Sequence, residues 1–124
     1  MRSGSADAVR VLVVDDDPDT CEAVKDLLEL NGYQVRTAAT VEQALAAMGE
    51  FRPICVLLDL TLPDGSGIDV ARRIRALHGD DVVLIVLTGT TDPADRTAAE
   101  DAGVDYVLTK PLDVSRLQVM LPRV

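Results

Sequence analysis

Five short aliphatic runs punctuate the chain, at residues 10–14, 33–37, 54–58, 82–87 and 105–109, and a stretch with helical spacing follows each. Three of the runs, VLVV, ICVLL and VVLIVL, are apolar without a break. Alternation would signal a sheet with one wet face. An unbroken run predicts a parallel strand covered by helices on both sides.

The intervening segments carry helix start and stop signals. Asp17 and Pro18 read as N-cap and first helical residue, with Cys21, Val24, Leu27 and Leu28 in register and Asn31-Gly32 as the stop. Thr40 caps the second helix, whose Val41, Ala44, Leu45 and Met48 share a face. Ile68, Ala71, Ile74 and Leu77, every third residue, define the third. Asp92 and Pro93 open the fourth, which ends at Gly103 and whose apolar residues are all alanines. Asp113 opens a short fifth, with Val114, Leu117 and Leu121 inward and Pro122 ending it.

Five βα units without a linker between them predict one α/β domain over residues 1–124, preceded only by a flexible lead at 1–8. The expected architecture is an open, doubly wound five-stranded parallel sheet of the flavodoxin-like (βα)5 kind, with right-handed crossovers. Numbered along the chain, its usual strand order is 2-1-3-4-5. In such sheets the ligand site lies beyond the carboxyl ends of the strands, at the switch point between strands 1 and 3.

Composition narrows the function classes. Hydrophobic residues make up 48% and aromatic residues 2% of the 124, so the core is aliphatic and needs no disulfide or metal. No stretch approaches the ~20 apolar residues of a membrane span, and residues 1–8 lack the apolar middle of a signal peptide, so a cytoplasmic location is expected. A net charge of -9 argues against nucleic-acid binding, which needs clustered Lys and Arg. Cys21 and Cys55 read as small core residues rather than a disulfide. His78 reads as a solvated turn residue, and no Cys/His metal spacing exists.

The chemistry gathers at the strand ends. The first strand leads into Asp15, Asp16 and Asp17, the third into Asp59, the fourth into Thr88 and the fifth into Lys110. Clustered carboxylates repel one another unless a cation sits among them or some are protonated. A set of oxygen donors without His or Cys suits Mg2+. Such an ion also neutralises an incoming phosphoryl group, Lys110 and Thr88 can grip its oxygens, and one carboxylate can act as nucleophile to form an acyl phosphate.

These residues lie in the segments VLVVDDDP, CVLLDLTLPDGSG, VLTG and LTKP, and the chain from residue 10 to about 121 resembles the receiver domains of two-component response regulators. The resemblance implies that Asp59 is both the phosphoacceptor and a metal ligand, and that Asp15 and Asp16 are the acidic metal-binding pair, Asp16 being the expected direct ligand. It implies that Thr61 offers its backbone carbonyl to the metal, and that Thr88 and Lys110 grip the phosphoryl group. Gly89 stands where the family leaves room for phosphoryl approach. Pro63, Gly65 and Gly67 shape the loop after Asp59, with glycine free to take positive φ. A cis Lys110–Pro111 peptide is implied, as is tuning of phosphoryl lifetime at Thr61 and Thr90. Asp17 reads as a helix cap instead.

As a receiver, the chain is expected to take its phosphoryl group from a sensor histidine kinase or histidine phosphotransfer protein. It would signal to a downstream protein target or output domain through the face formed by the fourth helix, fifth strand and fifth helix. It would not be an enzyme beyond self-catalysed phosphoryl acceptance and slow autodephosphorylation. One departure concerns output. Receivers commonly pair the strand-end hydroxyl, here Thr88, with a Tyr or Phe three residues before the lysine as a rotameric switch. Here that position is Val107, and Tyr106, beside it on the opposite face, could take the role only if the strand shifted by one residue. Two rival readings are a haloacid-dehalogenase-type phosphatase, whose nucleophile lies on the first strand rather than the third, and a phosphorylation-independent adaptor on the same fold.

Overall fold

The three unbroken apolar runs become the centre of the sheet. The computed structural model describes residues 9–89, 92–110 and 112–121, apart from the side chain of Val114. Expectations for the lead at 1–8, for Thr90, for the inward Val114 side chain, for the cis bond to Pro111 and for the stop at Pro122 lie outside the described residues.

Strands β1 (Arg10–Val14), β2 (Gln34–Ala38), β3 (Cys55–Asp59), β6 (Val83–Thr88) and β7 (Tyr106–Thr109) form a parallel sheet in the order β2-β1-β3-β6-β7. That is the predicted 2-1-3-4-5 order once a two-stranded antiparallel hairpin, β4 (Thr61–Leu62) and β5 (Gly65–Ser66), is set aside. The sequence pattern did not reveal the hairpin. The second to fifth sheet strands each begin one residue later than the pattern predicted.

Helices α1 (Pro18–Leu30), α2 (Val41–Phe51), α3 (Gly67–His78), α4 (Pro93–Asp101) and α5 (Val114–Met120) cover both faces. Side-chain alternation along each central strand divides the core in two. Leu12, Val14, Val56, Leu58, Leu84 and Val86 face α2, α3 and α4. Val11, Val13, Cys55, Leu57, Ile85 and Leu87 face α1 and α5. Both cysteines are free and buried.

The caps follow the predicted residues at Asp17, Thr40, Asp92 and Asp113. The buried faces differ in detail. On α1, Cys21, Val24 and Leu28 are buried but Leu27 is 43% exposed. On α2, Ala47 is buried while Leu45 is only partly covered. On α3 the buried residues are Gly67, Val70, Ala71 and Ile74, whereas Leu77 is 71% exposed. A strict three-residue step loses about 60° per repeat against a 3.6-residue helix, so Leu77 ends half a turn from Ile68. His78 is the exposed last residue of α3, not a turn residue.

At the amino end of β6 and β7, the Arg75 side chain ties several elements together. Its guanidinium donates to the carbonyls of Gly103 (2.8 Å), Gly79 (3.0 Å) and Val82 (2.5 Å) and to the Asp105 carboxylate (2.7 Å). The same Asp105 oxygen accepts from the Leu84 N–H at 2.9 Å.

Candidate functional site

Asp15 leaves β1 buried, 3% exposed. Its N–H donates to the Ala38 carbonyl at 3.0 Å, which fixes the turn at the end of β1. Its Oδ1 accepts from the Asp17 N–H at 2.9 Å. Its buried Oδ2 has no hydrogen-bond partner among the described residues. The Lys110 ammonium lies 3.6 Å from that oxygen, within ion-pair range but beyond hydrogen-bond length. Burial raises the Asp15 carboxyl above its ordinary pKa; the Asp17 N–H works against that shift, and the charge of Asp59 reinforces it.

Asp59 ends β3 beside this group, and Lys110 Nζ donates to its Oδ1 at 3.2 Å. Burial acts to lower the Lys110 ammonium. The hydrogen bond and charge of Asp59, and then the charge of Asp15, outweigh it and hold the pKa above the ordinary lysine value. Asp16 is exposed, and Asp15, Asp16 and Asp59 can each present an oxygen within 4.8 Å of the others. This acidic cluster can hold a metal ion: the donors are hard oxygens, and one buried oxygen lacks a hydrogen bond among the described residues.

Asp17 stands apart. Its carboxylate accepts from the Asp19 N–H (3.2 Å) and the Thr20 hydroxyl (2.6 Å), the helix cap that the sequence predicted. The Thr20 bond in particular holds its pKa below the ordinary value.

The other predicted residues surround the cluster. Thr88 is the buried last residue of β6, and its carbonyl accepts from the Lys110 N–H at 2.8 Å. Gly89 borders a groove of about 670 Å³ with Lys110, Leu27, Leu87 and Leu112. A Cβ at Gly89 would meet nothing within 4 Å among the described residues. Thr61 is exposed at the start of the hairpin, opposite Ser66. Val107 is partly buried against the α2–α3–α4 side of the core, while Tyr106 is 43% exposed. The two neighbours therefore differ in environment as strand geometry requires.

The loop glycines act differently from the expectation of positive φ. Among the described residues, the glycines with positive φ are Gly32, Gly79 and Gly103. Gly67 is needed for close approach, because a Cβ there would collide with the Asp59 carbonyl oxygen. Gly67 N–H donates to the Leu60 carbonyl at 2.9 Å, so α3 starts directly against the backbone of the acidic strand end. A Cβ on Gly65 would lie 2.9 Å from the Val41 side chain.

Sequence reasoning did not single out Asp64, at the hairpin tip. Its carboxylate accepts from the Val41 N–H (2.8 Å) and the Glu42 N–H (3.3 Å), at the start of α2. Those bonds hold its pKa below the ordinary value. Pro63-Asp64-Gly65 signals a turn, but nothing local names a partner 23 residues away.

A doubly wound sheet with carboxylates and a lysine converging at its switch point defines a class of proteins that handle charged ligands at the strand ends. Residues 11–122 match the response regulator receiver domain family. The chain is 44% identical over 111 residues to the transcriptional regulatory protein KdpE of Mycobacterium tuberculosis, covering 90% of this chain and 48% of that protein. It thus spans about half the length of that relative. A CheY-like receiver domain from Methanospirillum hungatei superposes with a TM-score of 0.85 at 29% identity, covering 91% of this chain and 90% of the other. A response regulator from Burkholderia pseudomallei, solved with a phosphorylated aspartic acid, calcium ion and citrate, gives 0.85 at 30% identity, covering 92% and 66%. The chain belongs to the response regulator receiver domain family, whose members are signalling proteins of two-component systems rather than ordinary enzymes. No described helix is long and apolar enough to cross a membrane.

Proposed function

We propose that Asp59 is the phosphoacceptor of this receiver and that Asp15, Asp16 and the Thr61 carbonyl hold Mg2+ beside it. The observation that carries this reading is the convergence of the three carboxylates with Lys110, which approaches Asp59 at 3.2 Å and Asp15 at 3.6 Å. When bound, Mg2+ supplies charge neutralisation for the phosphoryl oxygens.

The residues of the chain divide the remaining work. A carboxylate oxygen of Asp59 attacks the phosphorus of a phosphohistidine. The P–O bond forms as the P–N bond breaks, and the departing imidazole nitrogen takes up a proton. Lys110 turns from its carboxylate partners to a phosphoryl oxygen, and the Thr88 hydroxyl donates to another. Gly89 leaves the approach unobstructed. The donor is a sensor histidine kinase or histidine phosphotransfer protein, and the apolar groove beside Lys110 offers it a seat. The downstream partner is a protein target or output domain reached through α4, β7 and α5. With Val107 in place of an aromatic switch, readout proceeds without rotation of a buried ring. A cytoplasmic location follows from such a donor.

The test is incubation with Mg2+ and acetyl phosphate, followed by intact-mass measurement. The wild-type chain is expected to gain one phosphoryl group, and Asp59→Asn none. An unmodified wild type that also ignores beryllofluoride would favour a phosphorylation-independent adaptor.

A further inference from the structure

We propose that Asp64 is a positioning residue for the metal site, holding Thr61 in place by anchoring the tip of the β4–β5 hairpin to the start of α2. The inference rests on the proposed Mg2+ role of Thr61.

The hairpin cannot place Thr61 unaided. Its ladder consists of two residue pairs, Thr61 with Ser66 and Leu62 with Gly65. An isolated two-stranded hairpin is marginal at best in water, and one this short more so. Its base is fixed by the Gly67 N–H on the Leu60 carbonyl (2.9 Å), and Leu62 is buried in the core. The tip lies outside the core, at exposed Pro63, Asp64 and Gly65. There Asp64 fastens it, with one oxygen on the Val41 N–H and the other on the Glu42 N–H. Gly65 packs so closely on Val41 that a side chain would not fit without movement.

The first turn of α2 shows why the contact is directed. A helix start leaves backbone N–H groups without intrahelical partners. Thr40 satisfies one locally, its Oγ1 accepting from the Gln43 N–H at 3.0 Å. The preceding two, Val41 and Glu42, are satisfied from outside the helix, both by Asp64. A carboxylate is also the favoured charge at this end of the helix dipole. The cap therefore has a local half and a tertiary half, and only the tertiary half reaches the segment that carries Thr61.

The two halves can be removed separately. Asp64→Ala releases the hairpin tip, whereas Thr40→Ala weakens the same helix turn without touching the hairpin. Mg2+ affinity is read from backbone amide shifts in a titration of the full chain, alongside the thermal midpoint of each variant. Removing a group that orients a metal ligand typically weakens binding at least tenfold, so Asp64→Ala is expected to raise the Mg2+ Kd by roughly 10-fold. Asp64→Asn retains one acceptor and is expected to recover part of that loss. Thr40→Ala is expected to lower the midpoint but leave the Mg2+ Kd within about twofold of wild type.

An unchanged Kd in Asp64→Ala would overturn the proposal. So would an equal loss in Thr40→Ala, since it would reduce Asp64 to a stabiliser of α2. A wild-type chain without Mg2+-dependent shifts would remove the metal reading itself, and this inference with it.

Discussion

Asp15 holds a buried carboxylate with one oxygen satisfied by the Asp17 N–H and the other lacking a hydrogen bond among the described residues. Burial and the neighbouring Asp59 together raise its pKa. A carboxyl raised by folding holds its proton more tightly in the folded than in the unfolded chain. Its contribution to stability therefore falls as pH rises from the unfolded value, about 3.9, through the higher folded one. Asp15→Asn keeps an oxygen for the Asp17 N–H and removes the buried charge. In Mg2+-free buffer at pH 7 the variant is expected to be more stable than wild type in urea, by on the order of 1 kcal/mol. The gain should vanish below about pH 3.5, where Asp15 is protonated in both states. A variant no more stable than wild type at pH 7 would show that the Lys110 ion pair outweighs the burial.

Next to Asp15, the Cys21 thiol donates to the Asp15 carbonyl at 3.1 Å. Burial, followed by the charge of Asp15, pushes its pKa up to about 11. Burial moves Cys55 further in the same direction. At pH 7 the Cys21 thiolate fraction is on the order of 10^-4. Neither cysteine is expected to react with iodoacetamide in the native protein within an hour, and both should react in guanidinium. Modification of Cys21 at the unfolded rate under native conditions would contradict this account of the pocket wall.

At the scale of elements, α3 and α4 are held by different means. Among the described residues, α3 buries Gly67, Val70, Ala71 and Ile74, while α4 buries only Ala99 within its span. Truncating a buried Ile typically costs about 2–5 kcal/mol, whereas an alanine has little area to offer. Backbone amides of α4 are expected to exchange with solvent faster than those of α3, and equal protection would refute that ranking. The turn after α4 is instead pinned by Arg75, which reaches Gly103 and Asp105 from α3. Asp105 is 44% exposed, so the ion pair adds little, and the bonds to three carbonyls carry the effect. Arg75→Ala is expected to cost about 2 kcal/mol by urea unfolding and to loosen α4 and the start of β7 first.

Which elements were legible in the sequence follows from how local their signals are. The strands came from unbroken runs such as ICVLL and the caps from Asp17-Pro18 and Asp92-Pro93, all read within a few residues. The strand order came instead from the usual arrangement of five βα units rather than from any run. The acidic pocket was legible because the fold sends the strand ends to one place. The bond from Arg75 to Gly103 and the Asp64 anchor on Val41 were not, since these partners lie 28 and 23 residues apart and neither pairing leaves a periodic trace. The exposed Leu77 shows the opposite error, a local repeat taken for a helical face although its step was three rather than 3.6.

For the whole molecule, the net charge of -9 and the acidic pocket call for cations in different ways. Surface carboxylates respond to ionic strength alone, through screening over about 10 Å at 0.1 M salt. The cluster of Asp15, Asp16 and Asp59 should respond to one divalent ion. A ligand that binds only the folded state adds RT ln(1 + [L]/Kd), about 2.7 kcal/mol at a hundredfold excess over Kd, and moves the thermal midpoint by several degrees. At constant ionic strength, replacing NaCl with MgCl2 is therefore expected to raise the midpoint of wild type. Asp16→Ala removes an exposed carboxylate without opening a core cavity, so it should fold normally and lose most of that rise. NaCl alone should shift both proteins nearly equally, because the net charge of -9 changes by only one in the variant. If Mg2+ raised both midpoints by the same amount, its effect would belong to the acidic surface as a whole. A rise confined to wild type would place it at the ends of β1 and β3, where the buried oxygen of Asp15 lacks a hydrogen bond among the described residues.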